Sequence, residues 1–136
     1  MKVAFTTEDG RHVDSHFGWA KRIAVYDVFP DHSNYVCCKE FSGNLAEDGN
    51  EDKLSPKLEA IQDCAILYVA AIGGSAAARV VAKNVHPVKV AETEKIESIL
   101  LQLQRVLSGN PPPWLRKALH KGQPRTIDFE DGVAYE

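Results

Sequence analysis

The sequence predicts a single α/β domain built on a mixed sheet that is covered on both faces. Residues 2–7, 23–29 and 35–41 are three β-prone segments that come first in the chain. Residues 65–71 form a nearly unbroken apolar run, which is typical of a central strand buried on both faces. Residues 96–107 carry an apolar stripe with a period of about 3.6 residues, which indicates an amphipathic helix.

Turn residues separate the three early strands. The first strand ends at the turn Glu8-Asp9-Gly10, and the second ends at Pro30. The link between the second and third strands is short, so we expect these two strands to pair antiparallel. Residues 42–53 are polar and contain glycine and acidic residues, which predicts a loop.

The following segment predicts a helix, a strand and a second helix. Apolar residues recur at helical spacing from Leu54 to Ile61, and Pro56 lies near the start, where a missing N–H costs little. The apolar run then forms the strand. Gly73-Gly74-Ser75 interrupts it, and residues 76–83 are expected to form the second helix.

The last predicted elements are a short strand and two helices. Residues 88–90 form the strand, and Thr93 is the expected N-cap of the helix that carries the apolar stripe. Gly109 ends that helix, and Pro111-Pro112-Pro113 prevents its continuation. Residues 114–120 then predict a short final helix.

The length and net charge of the chain limit its number of domains and its possible functions. The chain has 136 residues, which fits one core, so we predict one domain over residues 1–120 and a C-terminal tail, open to disorder, over 121–136. The formal net charge is −3, which argues against broad nucleic-acid binding. No apolar run approaches the roughly 20 residues that span a bilayer. The first residues turn polar too soon for a secretion signal, so a cytoplasmic location is expected.

The cysteines do not predict a structural metal site or a disulfide framework. The chain has 3 cysteines and no CxxC pair, which argues against a closed zinc site. Cys64 opens the buried strand, so a core position is favoured over ligation. Cys37 and Cys38 can reach a metal cluster only if the third strand borders the binding cleft.

A connector after the first strand carries the main candidate ligand, His16. It reads Val13-Asp14-Ser15-His16-Phe17-Gly18 and is predicted to be a loop that can move. Imidazole is a good ligand for transition metals. A lone loop histidine is, however, more often a solvated group, and the other features of the chain decide between these interpretations.

A second candidate site lies where the apolar strand feeds the next helix. The free N–H groups at a helix start favour an anion, and Gly73-Gly74-Ser75 lets the backbone approach it closely. The alternative is a simple tight turn. Arg79 could add positive charge to the same end. If the first strand lies beside the apolar one, their carboxyl ends bring His16 and these glycines to one crevice.

Catalytic interpretations have less support. No GxSxG motif is present, and the adjacency of Ser15 and His16 does not establish a nucleophile and base. A two-metal nuclease would need carboxylates on the central strands, whereas Glu8 and Asp9 lie in a turn. We therefore predict a protein that is not an enzyme.

The connector, followed by Ile23-Ala24-Val25-Tyr26, resembles the opening of the dinitrogenase iron–molybdenum cofactor-binding domain family. The resemblance covers roughly residues 2–120. It implies a ribonuclease-H-like fold, with a five-stranded mixed sheet of order 3-2-1-4-5 whose strand 2 is antiparallel. Other segments that carry the resemblance are 47–54, 63–65, 73–76, 86–90 and 114–118.

The resemblance implies a carrier that binds an iron–sulfur precursor of the nitrogenase iron–molybdenum cofactor. The implied partners are the cluster-building radical enzyme and the scaffold on which the cofactor is completed. His16 matches the family's loop histidine and is the predicted metal ligand. The predicted cofactor-binding residues are His16, Ser15, Phe17, Gly18, Gly73, Gly74, Ser75 and Arg79. Candidate counter-charges for the anionic cluster are Arg11, Lys21, Arg22 and Arg79.

Two other functions remain as alternatives. The first is an adaptor that docks on assembly proteins without ligating a cluster, with contacts made by the acidic segment 47–52 and the helix that begins at Trp114. The second is a nuclease-like enzyme, which ranks lowest.

Overall fold

A computed structural model describes residues 1–41, 54–91 and 93–119 of the chain. Its main sheet is five-stranded, and a second, two-stranded sheet lies beside it. The strands are β1 (Lys2–Thr7), β2 (His12–Val13), β3 (Arg22–Val28), β4 (Ser33–Glu40), β5 (Ile66–Val69), β6 (His86–Lys89) and β7 (Glu94–Lys95). The helices are α1 (Ser55–Ile61), α2 (Gly74–Ala82), α3 (Ile96–Ser108) and α4 (Pro113–Leu119).

The main sheet is mixed and has β1 at its centre. Its order is β4-β3-β1-β5-β6. β1 pairs antiparallel with β3, which pairs antiparallel with β4, as the short β3–β4 link predicts. β1 pairs parallel with β5, and β5 pairs parallel with β6. The prediction of a mixed α/β domain with a five-stranded sheet is therefore confirmed.

Side chains alternate along the central strand and fill a core on each face of the sheet. Val3 and Phe5 point to one core, where residues of α3 and α4 also pack. Ala4 points to the other, with residues of α1 and α2. Both faces are covered, which explains why β5 is almost entirely apolar. Cys64 is buried in the second core, as expected for a small apolar residue.

The two-stranded sheet was not predicted. β2 and β7 pair antiparallel, His12 with Lys95 and Val13 with Glu94. This pairing keeps Glu94 and Lys95 extended, so α3 begins only at Ile96 and its N-cap position is Lys95. The prediction of Thr93 as N-cap is therefore wrong. Gly109 does end α3, as predicted.

The helices in the described part of the chain are all too short or too polar to cross a membrane. The predicted loop over 42–53 and the predicted tail over 121–136 lie outside the described residues.

Candidate functional site

The His16 connector runs alongside the extension of β5. A parallel backbone bridge joins His16 to Ala71. In it, the Phe17 N–H donates to the Ala71 carbonyl at 2.8 Å, and the Ala70 N–H donates to the Ser15 carbonyl at 3.1 Å. Gly73 follows Ala71 by two residues in sequence. The structure thus brings the His16 backbone and the start of α2 to the same end of the sheet, beyond the carboxyl ends of β1 and β5.

His16 caps a short 3-10 turn over Phe17–Trp19. Its Nδ1 accepts the Gly18 N–H at 2.9 Å, as an N-cap side chain does. The imidazole is half-buried. The ring is therefore oriented by its own turn and does not simply project into solvent.

Buried groups hold this turn in place. The Thr6 hydroxyl donates to the Ser15 carbonyl at 2.7 Å, and Thr6 is fully buried. The Phe17 side chain is also fully buried, in the core on the α1 and α2 side. Phe17 and the nearly buried Ser15 are thus packed into the protein. The structure differs here from the prediction of a loop that can move, because backbone pairing and core packing fix both flanks of His16.

Lys57 is the site residue that sequence reasoning missed. It lies in the first turn of α1, and it is only 1% exposed. Its Nζ donates to the Gly18 carbonyl at 2.8 Å and lies 5.6 Å from the centroid of the Phe41 ring. No sequence signal identifies a buried lysine in an ordinary amphipathic helix, since lysine is almost never fully buried.

The start of α2 faces open space. Gly73 is the N-cap and makes no side-chain cap hydrogen bond. A Cβ atom added to Gly73 or Gly74 would meet no atom within 4 Å, and both glycines and Ser75 are exposed. The start of α2 is therefore open to solvent at its two glycines, and free N–H groups and the positive dipole end of a helix start favour an anion.

Arg79 does not lie at that end of α2. It is in the last turn of the helix, and its Nη2 is 3.5 Å from the Ser55 hydroxyl of α1. It lines a groove between α1 and α2, together with Leu58 and Glu59. Arg79 thus contacts α1 in this structure, and the expectation that it adds charge to the glycine turn stays a prediction.

The other candidate counter-charges differ in their availability. Arg11 and Lys21 are exposed. Arg22 is already engaged: its Nη1 donates to the Glu8 carbonyl at 2.7 Å, and its Nε lies 3.5 Å from Glu40. Arg22 thus anchors the loop after β1 to the end of β4.

Cys37 and Cys38 lie on β4, at the edge of the sheet, and β3 separates this strand from β1. Cys37 packs against the core on the α1 side. Burial raises the pKa of Cys38, which disfavours the thiolate form that binds metals. The strand order does not meet the condition for either cysteine to reach a cluster, because β4 is not a neighbour of β1 or β5.

No cluster of three or more His, Cys, Asp or Glu side chains in the described part of the chain could hold a metal ion.

Asp9 organises the loop between β1 and β2. Its Oδ1 accepts the N–H groups of Arg11 at 2.8 Å and His12 at 2.9 Å, and its Oδ2 lies 2.7 Å from the His12 Nδ1. The Arg11 N–H, followed by the His12 side chain, holds the pKa of Asp9 well below its usual range. The charged carboxylate is therefore the form that stabilises this loop.

This carboxylate predicts a loss of stability in acid. A lowered folded-state pKa contributes stability that is present above the unfolded value, about 3.9, and is lost as pH falls below it. We expect Asp9→Asn to be less stable than the wild type near neutral pH, and the difference to shrink below about pH 4. Urea unfolding over this pH range tests the expectation; a difference that does not change with pH would contradict it.

Together, the fold and the site define a mixed α/β domain with an oriented imidazole and an open helix start at one end of its sheet. The sequence model of the dinitrogenase iron–molybdenum cofactor family matches residues 1–106. The protein NifX of Herbaspirillum seropedicae is 60% identical over 133 residues, which cover 98% of this chain and 91% of that protein. This chain belongs to the dinitrogenase iron–molybdenum cofactor family, which confirms the resemblance found in its sequence.

Two further relatives define the extent of the similarity. The FeMo cofactor biosynthesis protein NifB of Bradyrhizobium diazoefficiens is 29% identical over 126 residues, which cover 82% of this chain and 25% of NifB. Among solved structures, the crystal structure of PH0822 matches with a TM-score of 0.59 and 18% sequence identity. The match covers 84% of this chain and 99% of the PH0822 chain. At that identity, PH0822 shows a shared fold alone.

Proposed function

We propose that this protein is a carrier, which binds an iron–sulfur precursor of the nitrogenase iron–molybdenum cofactor and transfers it between assembly proteins. Its family and its NifX and NifB relatives support a role in the biosynthesis of this cofactor. The observation that carries the proposal is the backbone bridge between His16 and Ala71. This bridge holds the His16 backbone beside Ala71, two residues before Gly73, the N-cap of α2.

The chemistry of this site suits a guest that must be released. Iron in sulfur clusters accepts imidazole as well as thiolate ligands. Four protein thiolates would hold a cluster firmly, whereas one imidazole and several hydrogen-bond donors would hold it loosely. The N–H groups at the start of α2 suit the negative charge of such a cluster. The site therefore favours temporary binding over permanent incorporation.

The proposed partners are the cluster-building radical enzyme, as donor, and the cofactor assembly scaffold, as acceptor. The similarity of this chain to one quarter of NifB supports a place in this machinery. We also assign the domain to the ribonuclease-H-like class. The order β4-β3-β1-β5-β6, with β3 antiparallel to β1, supports this assignment.

Iron retention tests the proposal directly. The protein is mixed anaerobically with a synthetic iron–sulfur cluster that has exchangeable thiolate ligands, then separated by gel filtration, and its iron is measured. We expect wild-type protein to retain iron, and His16→Ala and His16→Asn to lose most of it. Asparagine is a good N-cap residue, so His16→Asn removes the imidazole while it can still accept the Gly18 N–H.

His32→Asn is the matched control, because His32 is exposed and lies in the β3–β4 connection, at the opposite end of the sheet. It should retain iron like the wild type. If wild-type protein elutes without iron but still binds assembly proteins, the carrier function is contradicted and the adaptor function is favoured. Equal iron in wild type and His16→Asn would exclude His16 as the ligand.

The open space at α2 gives an independent prediction. Gly74→Ala should leave stability unchanged or raise it by up to about 1 kcal/mol, because alanine is the better helix former and its Cβ meets no atom. The added methyl group should lower iron retention several-fold, since it enters the space assigned to the cluster. Urea unfolding and iron analysis measure the two effects. Gly109→Ala, at the end of α3, is the control, and full retention by Gly74→Ala would place the cluster elsewhere.

A further inference from the structure

We propose that Lys57 is a positioning residue, which holds the His16 imidazole in place through the backbone of Gly18. The expected effect of Lys57 on cluster binding rests on the proposed function. The effect of Lys57 on the His16 turn can be tested without a cluster. Lys57 belongs to α1, whereas His16 belongs to the connector after β2. The ammonium group therefore ties a helix to the turn that carries the candidate ligand.

The burial of Lys57 is the first step of the argument. Transfer of an ammonium group out of water is costly unless hydrogen bonds and charge interactions compensate for it. The Lys57 Nζ meets the Gly18 carbonyl at 2.8 Å and the face of the Phe41 ring at 5.6 Å. A leucine or methionine would fill the same volume without this cost. The hydrogen bond to Gly18 is one interaction of this side chain that leucine or methionine could not make.

Gly18 is the second step, because both of its backbone polar groups are engaged. Its carbonyl accepts from the Lys57 Nζ, and its N–H donates to the His16 Nδ1 at 2.9 Å. A shift of the Gly18 backbone would therefore change the orientation of the imidazole. A Cβ atom at Gly18 would lie 3.4 Å from the ring, which shows how closely the backbone and the imidazole approach.

The weakness of the 3-10 turn is the third step. Such turns have poorer hydrogen-bond geometry than α-helices. Here the Trp19 N–H donates to the His16 carbonyl at 3.1 Å, and the Ala20 N–H donates to the Phe17 carbonyl at a long 3.5 Å. The amino-terminal flank is fixed by Thr6 and by the bridge to Ala71. On the carboxyl-terminal flank, the buried Phe17 ring fixes the start of the turn, and the bond from Lys57 adds a second hold at Gly18, where the turn's own hydrogen bonds are weak.

Amide hydrogen exchange of the protein without a cluster tests the geometry. We expect the Gly18 N–H to exchange at least about tenfold faster in Lys57→Met than in the wild type, since the loss of one hydrogen bond weakens the turn. Exchange of the Leu67 N–H, in the central sheet, should change much less. Lys57→Arg, which keeps a cationic donor, should restore most of the Gly18 protection.

Iron retention with the synthetic cluster tests the consequence. Lys57→Met should retain several-fold less iron than the wild type, and Lys57→Arg should recover part of the loss. If Lys57→Met accelerates exchange equally at Gly18 and Leu67, Lys57 stabilises the whole domain and does not specifically position the turn, which overturns the inference. Full iron retention by Lys57→Met, when His16→Asn loses iron, would also overturn it. If His16→Asn keeps its iron, the proposed function fails, and the exchange rates alone decide whether Lys57 positions the ring.

Discussion

Replacement of Phe17 by alanine should destabilise the protein by about 3–5 kcal/mol, because a fully buried aromatic ring would be replaced by a cavity. This is a large part of the 5–15 kcal/mol that is typical of a domain. Phe17 packs in the core among residues that include Ala4, Leu58 and Leu67. Urea unfolding measures the loss as a lower midpoint with an unchanged slope.

Phe17→Ala should also lose iron in the anaerobic cluster assay, because the ring is the anchor of the turn that begins at His16. Phe17→Leu is the matched control: it keeps most of the buried apolar volume, so it should retain more stability and more iron. The sequence alone predicted Phe17 as a contact of the cluster. A Phe17→Ala variant with unchanged stability but no iron would support that contact role and contradict the anchor role.

The main sheet was predictable because its strands leave clear patterns. β1 is β-prone and ends at a turn, and β5 is apolar because both of its faces are covered. The β2–β7 pair was not predictable, since a strand of two residues is too short for any periodic pattern. The error at Thr93 follows from this: extended pairing of Glu94 and Lys95 delays the start of α3.

The candidate site was predictable in its location but not in its internal contacts. The sequence placed His16 and Gly73 after two strands, and the parallel pairing of β1 with β5 brings them to one end of the sheet. The cap bond between Gly18 and His16 depends on a 3-10 turn that has no sequence signature. The burial of Lys57 depends on how α1 packs against Gly18 and Phe41, and the groove position of Arg79 depends on how α1 and α2 lie together. Tertiary contacts of this kind override the usual preference of charged residues for solvent.

Tyr68 should make the protein sensitive to alkali. It lies on β5, and its ring stacks on Phe5 with centroids 5.3 Å apart. Burial, with a smaller contribution from the charge of Glu94, raises the pKa of Tyr68 to about 12. The unfolded value is about 10, so the neutral phenol is the form that the folded state favours. Its contribution is therefore complete below about pH 10 and is lost as pH rises toward the folded value.

The loss of stability caused by ionisation of Tyr68 is large enough to measure by urea unfolding. The difference between the two pKa values corresponds to about 2–3 kcal/mol of unfolding free energy. We expect wild-type protein to lose stability between about pH 9 and pH 12 more steeply than Tyr68→Phe, by up to this amount. Tyr35→Phe, at a side chain that is 60% exposed, is the matched control and should follow the wild-type curve. Parallel curves for wild type and Tyr68→Phe would mean that the Tyr68 hydroxyl reaches water, and that the core beside Phe5 is more open than the packing of β1 and β5 requires.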